Sequence, residues 1–273
     1  MNRRLQVLRH WLSGSSKNGV SATEMIGFLC GRRCARKAQP NIRRIAEHGD
    51  YVLVYLNGLE RPLYYPKEFA IGSLYQVIAE LSYSKDWHYY EIEQTRVGPG
   101  DVVVDCGAAE GLFSLMAADR ATKVYAIEPM TRFVEAMRLT FSGLGNVEVV
   151  PVALSDKEGA AYISGCGISS ALNTSGDGER VEVATLDTLF FKRDIPVSYI
   201  KADLEGYELS MLKGARETIK KHSPKIAITT YHVAGHAESI AGYLTDINPR
   251  YRIKVKGIEE RAGAPVMLHA WVE

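Results

Sequence analysis

The sequence lacks the features that mark secreted, metal-stapled and membrane-embedded chains. Among 273 residues it holds four scattered cysteines, Cys30, Cys34, Cys106 and Cys166, which fit no C-x-x-C zinc-ligand pattern. Free thiols in such a chain suit a reducing compartment, so the expected location is cytoplasmic. No apolar run approaches the roughly 18 residues that a membrane-crossing helix needs. Met1–Ser13 carries arginines without a continuous apolar core, so a secretory signal is not expected. Excess charge of one sign is missing too: 33 Lys and Arg stand against 32 Asp and Glu. A hydrophobic fraction of 46% with 24% charged residues is ordinary for a globular chain. The length allows one α/β domain of about 170 to 200 residues plus an extension.

The small net charge hides an asymmetry. Residues 1–44 hold ten basic residues (Arg3, Arg4, Arg9, Lys17, Arg32, Arg33, Arg36, Lys37, Arg43 and Arg44) against one acid, Glu24, a balance of +9 that leaves −8 for the rest. Leu5, Leu8 and Leu12, with Trp11 beside them, can share one helix face whose other side is Arg-rich. A basic amphipathic segment can meet a membrane surface, a nucleic acid or an acidic partner. Its acid-poor, Arg- and Ser-bearing composition is also that of a transit peptide. The expectation taken here is plainer, a helical extension packed on the domain with a solvated basic face, because charge blocks carry little specificity.

Tyr51–Tyr55 and Leu63–Tyr65 flank Asn57-Gly58, a dipeptide suited to φ > 0, and predict a hairpin. Phe69–Tyr83 has helical spacing at Leu74, Val77, Ile78 and Leu81. The aromatic-rich stretch after it (Tyr83, Trp87, His88, Tyr89, Tyr90) can line a substrate pocket or pack the extension onto a sheet. Gly98-Pro99-Gly100 is a tight break that divides the chain into a basic extension over 1–97 and a core domain over 98–273.

The core domain is organised around Asp101–Gly111, DVVVDCGAAEG. An unbroken valine run reads as a strand buried on both faces, as in a parallel sheet. The glycines after it let the backbone take φ > 0 and let a ligand approach closely. The pattern from Asp105 through Gly107 to Gly111 is D-x-G-x-x-x-G, not the G-x-G-x-x-G of dinucleotide binding, which argues against NAD chemistry. An acid at the strand end repels a pyrophosphate but accepts a hydrogen bond from an ammonium. S-adenosylmethionine carries an ammonium, two ribose hydroxyls and an adenine, and no phosphate. Glu128 ends the next strand, Val124–Ile127, at the interval where a carboxylate grips ribose hydroxyls. Both acids could instead cap the helices that follow.

Strand and helix patterns then alternate. Thr131–Phe141 reads as a helix, Val147–Val150 as a strand, and Ala160–Ser164 with Arg180–Ala184 as a β pair around a Gly/Ser/Asn-rich loop, Gly165–Gly178, which is either a cover or a surface loop. Ser198–Ala202 is a strand ending at Asp203-Leu204-Glu205-Gly206, and Tyr207–His222 reads as one helix. Lys225–Thr230 is a strand ending at Tyr231-His232, a helix follows around His236–Thr245, and Arg252–Lys256 with Val266–Val272 close the sheet. Ligands in an open α/β sheet sit beyond the carboxyl ends of the strands, where Asp105, Glu128, Asp203, Glu205 and His232 all fall.

Asp105-x-Gly107-x-x-x-Gly111, Thr185-Leu186-Asp187, Ile200 through Glu208 (IKADLEGYE), Leu212-x-Gly214-Ala215 and Tyr231-His232 occur in the order and spacing of the FkbM family, which the chain resembles over roughly Tyr90–Val272. The resemblance implies a Rossmann-like class I methyltransferase with a mostly parallel seven-stranded sheet, helices on both faces, and S-adenosylmethionine as cofactor. It implies O-methylation of a hydroxyl on a small molecule or sugar. Asp105, Gly107, Ala108 and Gly111 are then expected to cradle the methionine part, Glu128 the ribose, and Ala153 the adenine pocket. Asp203, Glu205 and His232 are expected to face the methyl group as the catalytic set.

Methyl transfer from a sulfonium asks the protein to place the nucleophile about 3 to 3.5 Å from the methyl carbon. A hydroxyl nucleophile also needs a base within hydrogen-bond reach. His232, with an ordinary pKa near 6.5, suits that role at neutral pH without much tuning. Asp203 can accept the proton, orient the hydroxyl or bind the cofactor, and Asp203, Glu205 and His232 can also hold a divalent cation. The alternatives are methylation of a nucleic-acid or protein nitrogen, docked through the basic segment, and a catalytically inactive cofactor-binding module.

Overall fold

The computed structural model describes residues 2–14, 17–31, 34–164, 171–173 and 178–273. The chain opens with α1 (Arg3–Ser13), α2 (Ala22–Cys30) and α3 (Cys34–Ala38), followed by an antiparallel meander of β1 (Ile42–His48), β2 (Tyr51–Leu56) and β3 (Leu63–Pro66), and then α4 (Ile71–Ser82). The predicted hairpin is β2–β3, with Tyr51 opposite Pro66. Strand β1 was not predicted: Arg43, Arg44, Glu47 and His48 give it a polar, edge-strand surface with little alternation.

The core alternates as expected: β4 (Val102–Cys106), α5 (Leu112–Ala118), β5 (Lys123–Ile127), α6 (Thr131–Thr140) and β6 (Val147–Val150). A small sheet follows, made of β7 (Ala153–Leu154), β8 (Gly159–Ser164), β9 (Ala171–Asn173) and β10 (Glu179–Ala184), in the order β7-β10-β8-β9. Most of the Gly165–Gly178 loop, and so its reading as a cover, lies outside the described residues. The chain then runs through β11 (Tyr199–Ala202), α7 (Glu208–Lys213), α8 (Arg216–His222), β12 (Lys225–Thr229), α9 (His236–Ile247), β13 (Tyr251–Lys256) and β14 (Met267–Val272).

The main sheet has seven strands in the order β13-β14-β12-β11-β4-β5-β6. Neighbours from β12 to β6 are parallel, and β14 is antiparallel to both β12 and β13. Alternate side chains leave opposite faces of a strand, and the two cores divide accordingly. Val103, Val124, Tyr199 and Ala227 join α5, α6 and the N-terminal elements on one face. Val104, Tyr125, Ile200 and Ile226 join α7, α8 and α9 on the other.

Two helical expectations change. Tyr207–His222 is not one helix: it breaks between α7 and α8 at Gly214-Ala215. A Cβ on Gly214 would lie 2.2 Å from the Ser155 carbonyl oxygen, so the chain there is pressed against the loop after β7. Asp187 fills the break, accepting from the Glu217 and Thr218 amides at 3.0 and 2.8 Å and from the Thr218 hydroxyl. In α1, the buried residue is Val7, whereas Leu5 and Leu12 are 56% and 68% exposed. The helix is turned from the expected Leu5–Leu8–Leu12 face because Val7, Leu8 and Trp11 pack inward and Trp11 donates its indole N–H to the Val20 carbonyl. Among the described residues no helix is long and apolar enough to cross a membrane.

Candidate active site

One cavity opens at the carboxyl ends of β4, β5, β11 and β12. Its wall is formed by Gly107–Glu110 after β4, Glu128–Met130 after β5, Val152–Leu154, Lys201 and Asp203–Glu205 of the β11 end, and Tyr231 after β12. Helix α4 lines it with Ser73, Gln76, Val77, Glu80 and Leu81, and Tyr90 and Phe113 complete the wall.

The glycine turn is built by close approach. Gly107 has φ +74°, and a Cβ on it would lie 2.1 Å from the Asp203 carbonyl oxygen. Only a bare backbone lets the ends of β4 and β11 meet there. Ala109 is left-handed at φ 45°, a costly conformation for a residue with a Cβ. Glu128 holds it: one carboxylate oxygen accepts from the Ala109 amide at 2.9 Å and the other from the Met130 amide at 3.0 Å. Burial pushes the Glu128 carboxyl up to about 7, against the pull of those two amides. Gly111 begins α5 with φ +81° and packs against Met137 and Phe141, outside the cavity wall.

Asp105 faces an ammonium, but one that belongs to the chain. The carboxylate is fully buried and off the cavity wall. Oδ1 lies 3.0 Å from Lys201 Nζ, and Oδ2 accepts from the Ser114 hydroxyl at 2.7 Å. Lys201 also donates to the Gly107 carbonyl at 2.6 Å. Burial opposes the Lys201 charge, and Asp105, with Asp203 and Glu110, more than offsets it, raising the lysine.

At the end of β11 the catalytic candidates come together. Asp203 and Glu205 are on the cavity wall; His232 sits behind them, with Nε2 3.3 Å from Glu205 Oε2 and 3.8 Å from Asp203 Oδ1. The other ring nitrogen, Nδ1, donates to Glu208 Oε1 at 3.0 Å. Glu208 is fully buried and was not among the sequence candidates, although its motif was. It also accepts from the Leu204 amide at 3.0 Å, and its Oε2 faces His236 Nδ1 at 3.5 Å. Asp203 accepts from the Tyr90 hydroxyl at 2.8 Å and from Thr229 at 3.1 Å. His232 is therefore not the untuned base the sequence suggested. Burial pulls its pKa down, but Glu208, Asp203 and Glu205 prevail and raise it. Among the described residues, the set that can offer a cation one ligand atom each within 4.8 Å is Asp203, Glu208 and His232, with Glu208 in place of Glu205.

A second cluster of titratable groups lies beside α4 and Tyr231. His88 Nδ1 lies 3.6 Å from Glu80 and 3.9 Å from Asp86, and its ring meets Tyr231 edge-on at 5.3 Å. Burial opposes its charge, yet the two carboxylates push it up to about 9. Tyr90 and the α4 residues lie outside the quoted motifs; only the aromatic run before the core strand hinted at them. Lys201 lay within a motif, but a lysine in a strand carries no signal of its own until the fold sets it against Asp105.

This sheet order, with a glycine turn after the central strand and carboxylates at neighbouring strand ends, defines a Rossmann-like class I methyltransferase fold. The model of the methyltransferase FkbM domain matches residues 105–250, more than half of the chain. The chain belongs to that family. Among solved structures, methyltransferase FkbM from Methylobacillus flagellatus KT is similar, at 22% identity, 74% coverage of this chain, 56% of that one, and a TM-score of 0.50. This chain thus spans little more than half the length of that relative. An rRNA methylase from Streptococcus thermophilus aligns at 14% identity, covering 64% of this chain and 89% of its own, with a TM-score of 0.43. SMU.1697c from Streptococcus mutans, in complex with SAH, aligns at 10%, 65% and 91%, with the same score. No curated protein sequence matches significantly.

Proposed function

We propose that the chain transfers a methyl group from S-adenosylmethionine to a hydroxyl of a small molecule or sugar. The observation that carries this reading is the single cavity whose wall joins the glycine turn, Glu128 and the Asp203 strand end. The residues fit the cofactor: Gly107 leaves bare backbone at the turn, and Glu110, whose buried Oε2 has no hydrogen-bond partner, is on the wall. Gly107, Ala108 and Ala109 would hold its methionine part, Glu128 its ribose, and Ala153 its adenine. When bound, the cofactor supplies an electrophilic methyl carbon.

The remaining work falls to the chain. Asp203, fixed by Tyr90 and Thr229, orients the acceptor hydroxyl and takes its hydrogen bond. The proton passes on to His232 Nε2 when the ring is neutral, while Glu208 holds Nδ1 and so the tautomer. The wall's acidic groups (Glu80, Glu110, Glu128, Asp203 and Glu205) outnumber its cation, Lys201, which favours a neutral or cationic acceptor over a polyanion. Among the described residues, no basic residue of the first 44 lines the cavity, so nucleic-acid docking has no support at the site itself.

Calorimetric titration of S-adenosylmethionine and S-adenosylhomocysteine tests the cofactor, and incubation with sugar and phenol hydroxyl acceptors tests the transfer. Binding followed by an O-methyl ether product supports the reading. Absence of binding by a folded protein removes it, and a purely N-methylated product moves the activity to nitrogen.

A further inference from the structure

Lys201 is the one cation on the cavity wall among the described residues, and it is 5% exposed. Strand β11 sets it directly across from Asp105 of β4. Lys201 Nζ donates to the Gly107 carbonyl at 2.6 Å and is ion-paired with Asp105 Oδ1 at 3.0 Å, contacts that use at most two of the three N–H donors of an ammonium. The Tyr90 ring, 5.2 Å from Nζ, covers another side. One donor remains for the cavity, next to the glycine turn. On the same wall, Glu110 is 3% exposed and its Oε2 is buried with no hydrogen-bond partner. A buried carboxylate oxygen without a donor is costly unless something arrives to pair with it.

We propose that Lys201 and Glu110 are the two poles of a receptor for an α-amino acid group, the ammonium of Lys201 taking its carboxylate and Glu110 Oε2 its ammonium. This rests on the cofactor reading above, in which that group is the amino-acid end of S-adenosylmethionine. Asp105 then acts at one remove: it positions Lys201 and touches no ligand. The acidic remainder of the wall leaves Lys201 as the place where a ligand carboxylate can bind without repulsion.

The test compares S-adenosylhomocysteine with 5′-methylthioadenosine, which keeps the nucleoside and lacks the amino acid. Calorimetry on the full chain is expected to show wild type binding the first more tightly. Lys201→Met and Glu110→Gln should each weaken S-adenosylhomocysteine by about 10- to 100-fold and leave methylthioadenosine within about twofold. Lys201→Met strands Asp105 as a buried unpaired charge, so Asp105→Asn/Lys201→Met is measured beside it, with folding checked by near-UV circular dichroism; the same selective loss is expected. Equal loss of both ligands in either folded variant, or loss of neither, overturns the receptor. So does a wild type that binds the two ligands equally, in which case the cofactor reading survives. If wild type binds neither ligand, the cofactor reading falls and the receptor with it.

Discussion

At the scale of single residues, the site is governed by charges that burial would neutralise and neighbours keep. His232 faces three carboxylates, which raise its pKa above 6.5 against the pull of burial. A rate that needs the neutral ring should therefore climb with pH along a limb centred above 6.5. Glu208→Gln should move that limb toward lower pH, because it removes the carboxylate that stabilises the charged ring; kcat measured against pH decides it, and an unmoved limb assigns the titration elsewhere. His88 gives a stability prediction with a defined sign. Its pKa rises from 6.5 unfolded to about 9 folded, so its contribution is complete below pH 6.5 and is lost as pH rises through about 9. Urea unfolding should show the protein about 2 to 3 kcal/mol less stable at pH 9.5 than at pH 6 from this group. His88→Gln should flatten that decline.

At the scale of elements, the break between α7 and α8 shows how a short motif serves geometry. Asp187 caps α8 through two amides and a hydroxyl, and its own amide donates to the Gly214 carbonyl at 2.8 Å. Thr185-Leu186-Asp187, legible only as a family feature, thus locks the helix pair behind β11. Asp187→Ala should cost about 1 to 2 kcal/mol of stability in denaturant unfolding while leaving cofactor affinity unchanged. A loss of affinity without loss of stability would place Asp187 in the site instead. Helix α4 belongs to the same scale: it comes from the extension yet supplies one wall of the cavity, so the cavity is shaped partly by residues outside the matched 105–250 domain.

At the scale of the molecule, the extension and the methyltransferase core share one buried cluster, in which Val7, Met25, Val54 and Leu74 are continuous with Val103, Leu112 and Phe133. Side-chain contacts tie the first helices to the far end of the chain as well: Asn18 donates to the Gly263 carbonyl at 2.9 Å, and Lys256 pairs with Glu24. Thermal unfolding should therefore be a single cooperative transition, and two resolved transitions would show that the extension folds by itself. Deleting residues 2–19 should lower the midpoint by exposing the cluster around Val7 but leave S-adenosylhomocysteine affinity intact, since none of the described residues among them lines the cavity. Deleting residues 2–97 removes α4 and Tyr90 with it, and should abolish both.

The sequence by itself determined the order of strands and helices in the core, because buried parallel strands need continuous apolar runs and the turns between them need glycine or an acid at set intervals. Asp105, Gly107, Glu128, Asp203 and His232 were legible for the same reason: strand ends are local features. The tertiary structure decided which of them touch. Lys201 meets Asp105 only because β11 lies beside β4, Glu208 reaches His232 only because the start of α7 meets the chain after β12, and α1 turns Leu5 and Leu12 outward because Val7, Leu8 and Trp11 find partners elsewhere in the chain. Periodicity along a chain is set by backbone geometry, whereas the pairing of charges across a sheet is set by strand order, which no single stretch of residues encodes.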